Sequence, residues 1–324
     1  MDRIGIGVIG VGQIARGYHL PAIAALDGVR CVAVADVVPG RAEEIARQYG
    51  FQHADEDYRR LLDRPDIDAI FLFTQYEAHR AVILAAAAAG KQVFTQKPLT
   101  GSVAEGEALV AAVRQAKVRL VTSFMHNYSP ETRLAKRHLD AGAIVRLFFL
   151  RQRNATHNRY ERAVELRGAT WDIGPHGIGM IHHLSGARIV RVQAMMDVFT
   201  RSADQRDQNG GRPIDTLAGM NYTLADGCLV SHEVHWTAEA GTTAWLTELF
   251  GDTGASCSVR TIAPAWSRVP AVTVNTIGPG TGNTRRWNRK RHAAASSTNS
   301  SWTTSASTDT KAPPLTMAWR RCGC

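Results

Sequence analysis

RIGIGVIGVGQIA, residues 3–15, runs an apolar segment of strand length directly into Gly10-Val11-Gly12-Gln13-Ile14-Ala15. Helical spacing of Ile14, Tyr18, Ile23 and Leu26 follows, so strand, glycines and helix come in that order. This is the context a dinucleotide-binding GxGxxG/A turn requires. Gly10 permits the tight turn, Gly12 lets main chain approach a pyrophosphate, and Ala15 lets helix pack on strand. The helix start, with Gln13 and Ile14, offers free N–H groups to the phosphates. A second strand, VRCVAVAD at 29–36, ends in Asp36, where a carboxylate can accept hydrogen bonds from the adenosine ribose and would repel a 2′-phosphate. NAD is expected over NADP.

Outward from this turn the alternation continues. RAEEIARQYG (41–50) predicts a helix, DAIFLF (68–73) a buried strand, EAHRAVILAAAAAG (77–90) a helix ended by Gly90, and KQVFTQ (91–96) another strand. Strands alternating with helices imply a doubly wound parallel sheet, the α/β Rossmann class, which binds ligands beyond the carboxyl ends of its strands. Gln96, Lys97 and Pro98 fall at such an end, which favours a functional Lys97 over a first solvated residue. From residue 144 onward the pattern changes. IVRLFFLRQRN, ARIVRVQAMMDVF, TLAGMNYTL, CLVSHEVHW and TAWLTELFG are β-rich runs without intervening helical patterns.

With 324 residues, of which 44% are hydrophobic and 21% charged, the chain suits two globular domains. No apolar run approaches the roughly 20 residues that cross a bilayer, so a cytoplasmic protein without a membrane partner is expected. The five cysteines, Cys31, Cys228, Cys257, Cys322 and Cys324, form no CxxC pair and are expected as reduced thiols. The net charge of +9 is concentrated in residues 279–324, which hold eight Lys or Arg and one Asp and so carry +7, leaving +2 for the body. A nucleic-acid partner is therefore not expected.

WDIGPHGIGM, residues 171–180, sets Asp172 four positions before His176. Imidazole, with an ordinary pKa of about 6.5, suits the proton exchange that accompanies hydride transfer at a carbinol. The glycines beside His176 argue against a regular helix there, at about 1 kcal/mol each. A metal site using His176, His182, His183 and Asp172 lacks an HExxH or Cys/His spacing.

Taken together, GVGQIA with His19 and Pro21, Asp36, the Thr74-to-His79 segment, GKQVFTQKPLT and the D-x-G-x-H of Asp172, Gly174 and His176 resemble the Gfo/Idh/MocA oxidoreductases over about residues 3–250. The resemblance implies an N-terminal Rossmann domain (1–123) and an α+β domain (124–278) with an open, mostly antiparallel sheet that often mediates homo-oligomerisation. It implies cofactor contacts at Gly10, Gly12, Gln13, Ile14, Asp36, Thr74, His79, Gln96 and Lys97. It maps Lys97, Asp172 and His176 onto the residues around nicotinamide and substrate, and implies an NAD-dependent dehydrogenase of a sugar or polyol.

The chain departs from that pattern at Gln96, where glutamate is usual, at Gly179, where aspartate is frequent, and at Asn127, where arginine is common. These changes leave a non-catalytic dinucleotide-binding sensor as the alternative. Residues 279–324 depart furthest: TRRWNRKRH is followed by a stretch in which 11 of 15 residues are Ser or Thr, with the composition of a disordered extension. Relatives usually end with two helices instead, and back-translation of LTMAWRRCGC in another frame can be written as the second of them. A frameshift near residue 280 is the hypothesis. Coding DNA that encodes no such helices in another frame beyond codon 280 overturns it.

Overall fold

The protein is described by a computed structural model, over residues 3–142, 144–157, 167–198, 214–238, 244–252, 256–262 and 272–273. Residues 279–324, on which the frameshift hypothesis bears, lie outside the described residues. Two compact units divide after Ser123.

The first unit is a six-stranded parallel sheet in the order β3-β2-β1-β4-β5-β6. The strands are β1 Ile4–Ile9, β2 Val29–Ala35, β3 His53–Asp55, β4 Ala69–Leu72, β5 Gln92–Gln96 and β6 Leu120–Ser123. Val8, Val32, Val34, Ile70, Leu72 and Val93 are inaccessible to solvent, as expected of strands covered on both faces by crossover helices. One layer packs Ile6, Val8 and Val34 against Leu20, Ile23, Ala42 and Ile45. The other packs Ile70, Leu72 and Val93 against Val82, Ile83, Ala86 and Leu109. These come from α1 Leu20–Ala24 and α2 Arg41–Tyr49 on one side, and from α4 His79–Ala88 and α5 Val103–Gln115 on the other, while α3 Arg59–Leu62 precedes β4. Gly90 takes φ +71° just beyond α4, as its place in the sequence predicts.

The first helix differs from its predicted face. A π-turn spans Ala15–His19, with the Leu20 N–H bonded to the Ala15 carbonyl. It places residues five apart on one side, so Ala15, Leu20 and Ile23 are buried while Ile14 (47%) and Tyr18 (39%) are exposed. A single extra residue in the turn moved the apolar stripe.

The second unit carries a seven-stranded sheet in the order β13-β12-β11-β7-β10-β9-β8. Its strands are β7 Leu147–His157, β8 Ile189–Asp197, β9 Leu217–Leu224, β10 Leu229–Ala238, β11 Ala244–Gly251, β12 Ser256–Ile262 and β13 Val272–Thr273. Every pairing is antiparallel except that of β7 with β10. One face packs on α6 Pro130–Asp140, α7 Ala169–Asp172 and α8 Gly174–Ser185, around Leu150, Ile181, Leu184, Val234, Trp236 and Leu249.

That face is not wholly apolar. Gln152, Asn154, His232 and Thr247 are all buried and bonded to one another. The Thr247 hydroxyl donates to Gln152 Oε1 at 2.6 Å, and Gln152 Nε2 donates to Asn154 Oδ1 at 3.3 Å. His232 Nε2 donates to the same oxygen at 2.8 Å, leaving Nδ1 to accept from the Tyr222 hydroxyl at 3.0 Å. Burial pushes the His232 pKa down to about 3 and that of Tyr222 up to about 12.

Buried neutral histidines make stability depend on acid. His19, lowered to about 4 by burial, and His232 take up protons in the unfolded chain near pH 6.5 while the folded chain refuses them. Their contribution is full above that pH and is lost as pH falls from about 6.5 towards 4 and 3. The urea midpoint is expected to decline across this window, and His232→Gln, which keeps a donor near Nε2, should shallow the slope. An identical pH dependence in the variant would contradict this assignment.

Candidate active site

The order of the first sheet reverses between β1 and β4, and a crevice at the carboxyl ends of those strands is where doubly wound folds take ligands. Gly10 lies there at φ +82°. A Cβ on it would meet the Thr74 main-chain nitrogen at 2.8 Å and the Phe73 carbonyl carbon at 3.0 Å. Glycine is therefore required both by conformation and by the closeness of the β4 end. Gly12 has nothing within 4 Å of where its Cβ would be, leaving its main chain open to a phosphate. Gln13 and Ile14 begin the helix, and Ile14 is exposed.

Asp36, 8% exposed, ties the turn together. Its Oδ2 accepts the Val11 N–H at 2.8 Å, and its Oδ1 accepts the Val38 N–H at 2.9 Å and Arg41 Nη1 at 3.3 Å. A carboxylate has about four acceptor positions, so room for a ribose hydroxyl remains beside this structural duty. Thr74 Oγ1, at the end of β4, is buried with no hydrogen-bond partner. An open glycine turn, a carboxylate with acceptor capacity and an orphaned hydroxyl together fit a dinucleotide.

His79 is fully buried and braces the neighbouring turn. Its Nε2 lies 3.2 Å from the Thr74 carbonyl, and its Nδ1 lies 3.1 Å and 3.3 Å from those of Pro98 and Leu99. Burial lowers its pKa, and the bonds to Leu99, Thr74 and Pro98 partly oppose that shift. Gln96, the last residue of β5, hydrogen-bonds His19 Nε2, whose ring stacks on Phe73 at 4.2 Å. A neutral amide thus meets a neutral imidazole immediately before Lys97. Lys97 is half-buried at the carboxyl end of β5, and its bond to Pro98 is cis.

In the second unit Asp172 ends α7 and His176 lies in the first turn of α8, both 8% exposed. The helix forms despite Gly174, Gly177 and Gly179, contrary to the expectation from glycine propensity. Tertiary packing decides the matter. A Cβ on Gly177 would come within 2.2 Å of Asn154 Oδ1 and 2.3 Å of His232 Nε2, and one on Gly179 within 2.6 Å of the Phe124 ring. The same ring explains why the aspartate frequent at position 179 in the family pattern has no room here.

Two residues that periodicity did not single out surround His176. His126 meets it edge to face at 4.9 Å, Trp245 lies 5.3 Å away at 71°, and His126 stacks on Trp245 at 4.0 Å. Asn127, beside His126, has its Oδ1 buried and without a partner. Among the described residues no group of three or more His, Cys, Asp or Glu could hold a metal ion.

A family model for an oxidoreductase family with an NAD-binding Rossmann fold matches residues 4–124. The Gfo/Idh/MocA C-terminal domain model matches 107–256. The chain belongs to the Gfo/Idh/MocA oxidoreductase family. Its first unit is thus an NAD-binding Rossmann fold and its second the α+β partner domain with a mostly antiparallel sheet.

Within the family, levoglucosan dehydrogenase of Pseudarthrobacter phenanthrenivorans is 31% identical over 205 residues, covering 57% of this chain and 52% of that protein. The NAD(+)-dependent scyllo-inositol 2-dehydrogenase of Bacillus subtilis is 31% identical over 194 residues, covering 59% and 56%. The match spans about half the length of these curated relatives. Among solved structures, an oxidoreductase domain protein from Kribbella flavida superposes with a TM-score of 0.77 at 22% identity, covering 89% of this chain and 81% of that one. Levoglucosan dehydrogenase in complex with NADH gives 0.71 at 22%, covering 86% and 81%. At such identity these two likenesses speak for the fold.

Proposed function

We propose that the chain transfers a hydride between NAD and a hydroxyl-bearing carbon of a sugar or polyol. In this reading residues 1–123 hold the dinucleotide and residues 124–278 present the substrate groups. The observation that carries it is the placing of Lys97 at the carboxyl end of β5, the sheet end where Gly10, Gly12, Asp36 and the unpartnered Thr74 hydroxyl lie. When bound, NAD supplies the hydride acceptor. His176 takes the hydroxyl proton as the carbinol is oxidised, and returns it in the reverse direction. Lys97 donates a hydrogen bond to the same oxygen and stabilises the negative charge that develops on it. Asp172 orients the imidazole or holds a neighbouring hydroxyl, and Asn127 Oδ1 offers an acceptor to another. Relatives named for levoglucosan and scyllo-inositol support a polyhydroxylated ring as substrate.

Absorbance at 340 nm, followed with NAD and a panel of inositols, pyranoses and anhydrosugars, tests the reading. NADH formation with at least one of them is expected. NAD binding without turnover across the panel would replace the enzyme with the sensor, which the neutral Gln96–His19 pair favours.

The exposed side chains of Val190, Val192, Met195 and Met196 on β8 and Leu229 on β10 support a homo-oligomer formed through this sheet. Light scattering that returns a monomer at micromolar concentration would contradict it. No helix among the described residues is long and apolar enough to cross a membrane. The free thiols of Cys31 and Cys228 suit a reducing compartment such as the cytoplasm, and periplasmic recovery in cell fractionation would contradict that placing.

A further inference from the structure

The short helix α7, which ends on Asp172, is gripped by a residue 45 positions beyond Thr170. Asp215 is 9% exposed. Its Oδ2 accepts the Thr170 N–H at 2.7 Å, and its main-chain carbonyl accepts the Ala169 N–H at 2.8 Å. A helix start leaves such N–H groups without partners inside the helix, and here one residue satisfies two of them. Asp215 Oδ1 lies over Gly168, where a Cβ would sit 2.2 Å from it. Gly168, at φ +99°, gives its own carbonyl to the Asp172 N–H at 3.0 Å. The grip therefore reaches from the first turn of α7 to the residue at its end.

On its other side Asp215 is held by the sheet. The next residue, Thr216, donates its N–H to the Asp197 carbonyl at 3.0 Å, and its carbonyl accepts the Trp236 N–H at 2.9 Å. Asp197 ends β8 and Trp236 lies in β10, so the carboxylate stands in a frame set by two strands. Arg167, before Gly168, places its guanidinium carbon 5.9 Å from the centroid of the Trp171 ring.

We infer that Asp215 is a positioning residue, whose carboxylate sets the α7 turn and thereby the Asp172 side chain. The inference rests on the proposal that Asp172 serves the reacting centre. An ordinary helix cap would affect stability and leave the chemistry unchanged, whereas a positioning residue acts through Asp172.

The experiment measures kcat, NADH affinity and amide exchange over residues 169–176 in the wild type, Asp215→Asn, Asp172→Asn and the double variant. Asp215→Asn keeps an oxygen able to accept from Thr170 and removes the charge, so it disturbs folding less than Asp215→Ala. The expected result is a loss in kcat of about ten- to a hundredfold, unchanged NADH affinity and faster exchange at Thr170 to Asp172. In the Asp172→Asn background, Asp215→Asn is expected to add nothing. A loss that repeats in full in that background, or faster exchange with wild-type kcat, overturns the inference. Wild-type kcat in Asp172→Asn overturns the parent reading of Asp172 and this inference with it, and is told apart by appearing in that single variant.

Discussion

Replacing His176 with asparagine is expected to lower kcat/KM by about 10²- to 10⁴-fold while NADH still binds. The size follows from what the imidazole is asked to do. A carbinol carbon releases hydride only as its hydroxyl proton departs, and an amide cannot take that proton. His126 and Trp245 remain stacked at 4.0 Å and the Gly177 contact with β7 and β10 is untouched, so the variant should fold. Wild-type kcat/KM in the variant would remove His176 from the chemistry.

Gly177→Ala carries the largest expected effect on folding. Its added carbon would lie 2.2 Å from Asn154 Oδ1 and 2.3 Å from His232 Nε2, far inside van der Waals contact. Neither neighbour can step aside cheaply, because both are buried and Asn154 Oδ1 already accepts from Gln152 and His232. Overpacking of this kind costs about 1–3 kcal/mol and sometimes more. Separating the His232–Asn154 pair would add about 1–3 kcal/mol for buried groups left unsatisfied. A fall of several kcal/mol in unfolding free energy, measured by urea titration, is expected. A loss under about 0.5 kcal/mol, the range of an ordinary surface substitution, would mean that α8 does not press on the buried network as described. The neighbouring His176 rides on the same helix turn, so any variant that survives should also lose activity.

The parts of the fold read from sequence are those in which local pattern and global role coincide. The run before Gly10 is apolar because β1 is covered on both faces, and Asp36 follows the second strand because the turn after β2 faces the glycines. The π-turn at Ala15–His19 was invisible because it changes register by one residue without changing composition. Glycine propensity argued against a helix at His176 for a sound local reason, yet the close approach of Asn154, His232 and Phe124 reverses the argument. No periodicity marks that proximity. Strand alternation also gives no hint that Gln152, Asn154 and His232 face the core, since Thr247, the partner of Gln152, and Asn154 and Tyr222, the partners of His232, lie on other strands.

The candidate site divides in the same way. Gly10, Gly12 and Asp36 could be placed from their spacing, because one strand-turn-helix unit and the next strand contain them. His126 and Trp245 could not, because the short 3₁₀ turn Met125–Tyr128 and strand β11 bring them to His176 from distant stretches of chain. The spacing predicts a ribose ligand at Asp36, and its bonds to the Val11 and Val38 N–H groups and to Arg41 show that it also shapes the turn. Its spacing from the glycines was legible and its hydrogen bonds were not.

The most direct measurement is a crystal structure of the protein with NADH and a polyol that it turns over. Lys97 Nζ and a ring nitrogen of His176 are predicted to lie within about 2.6–3.2 Å of one substrate oxygen, on the carbon that faces the nicotinamide. A substrate bound with that oxygen out of reach of either side chain would contradict the account.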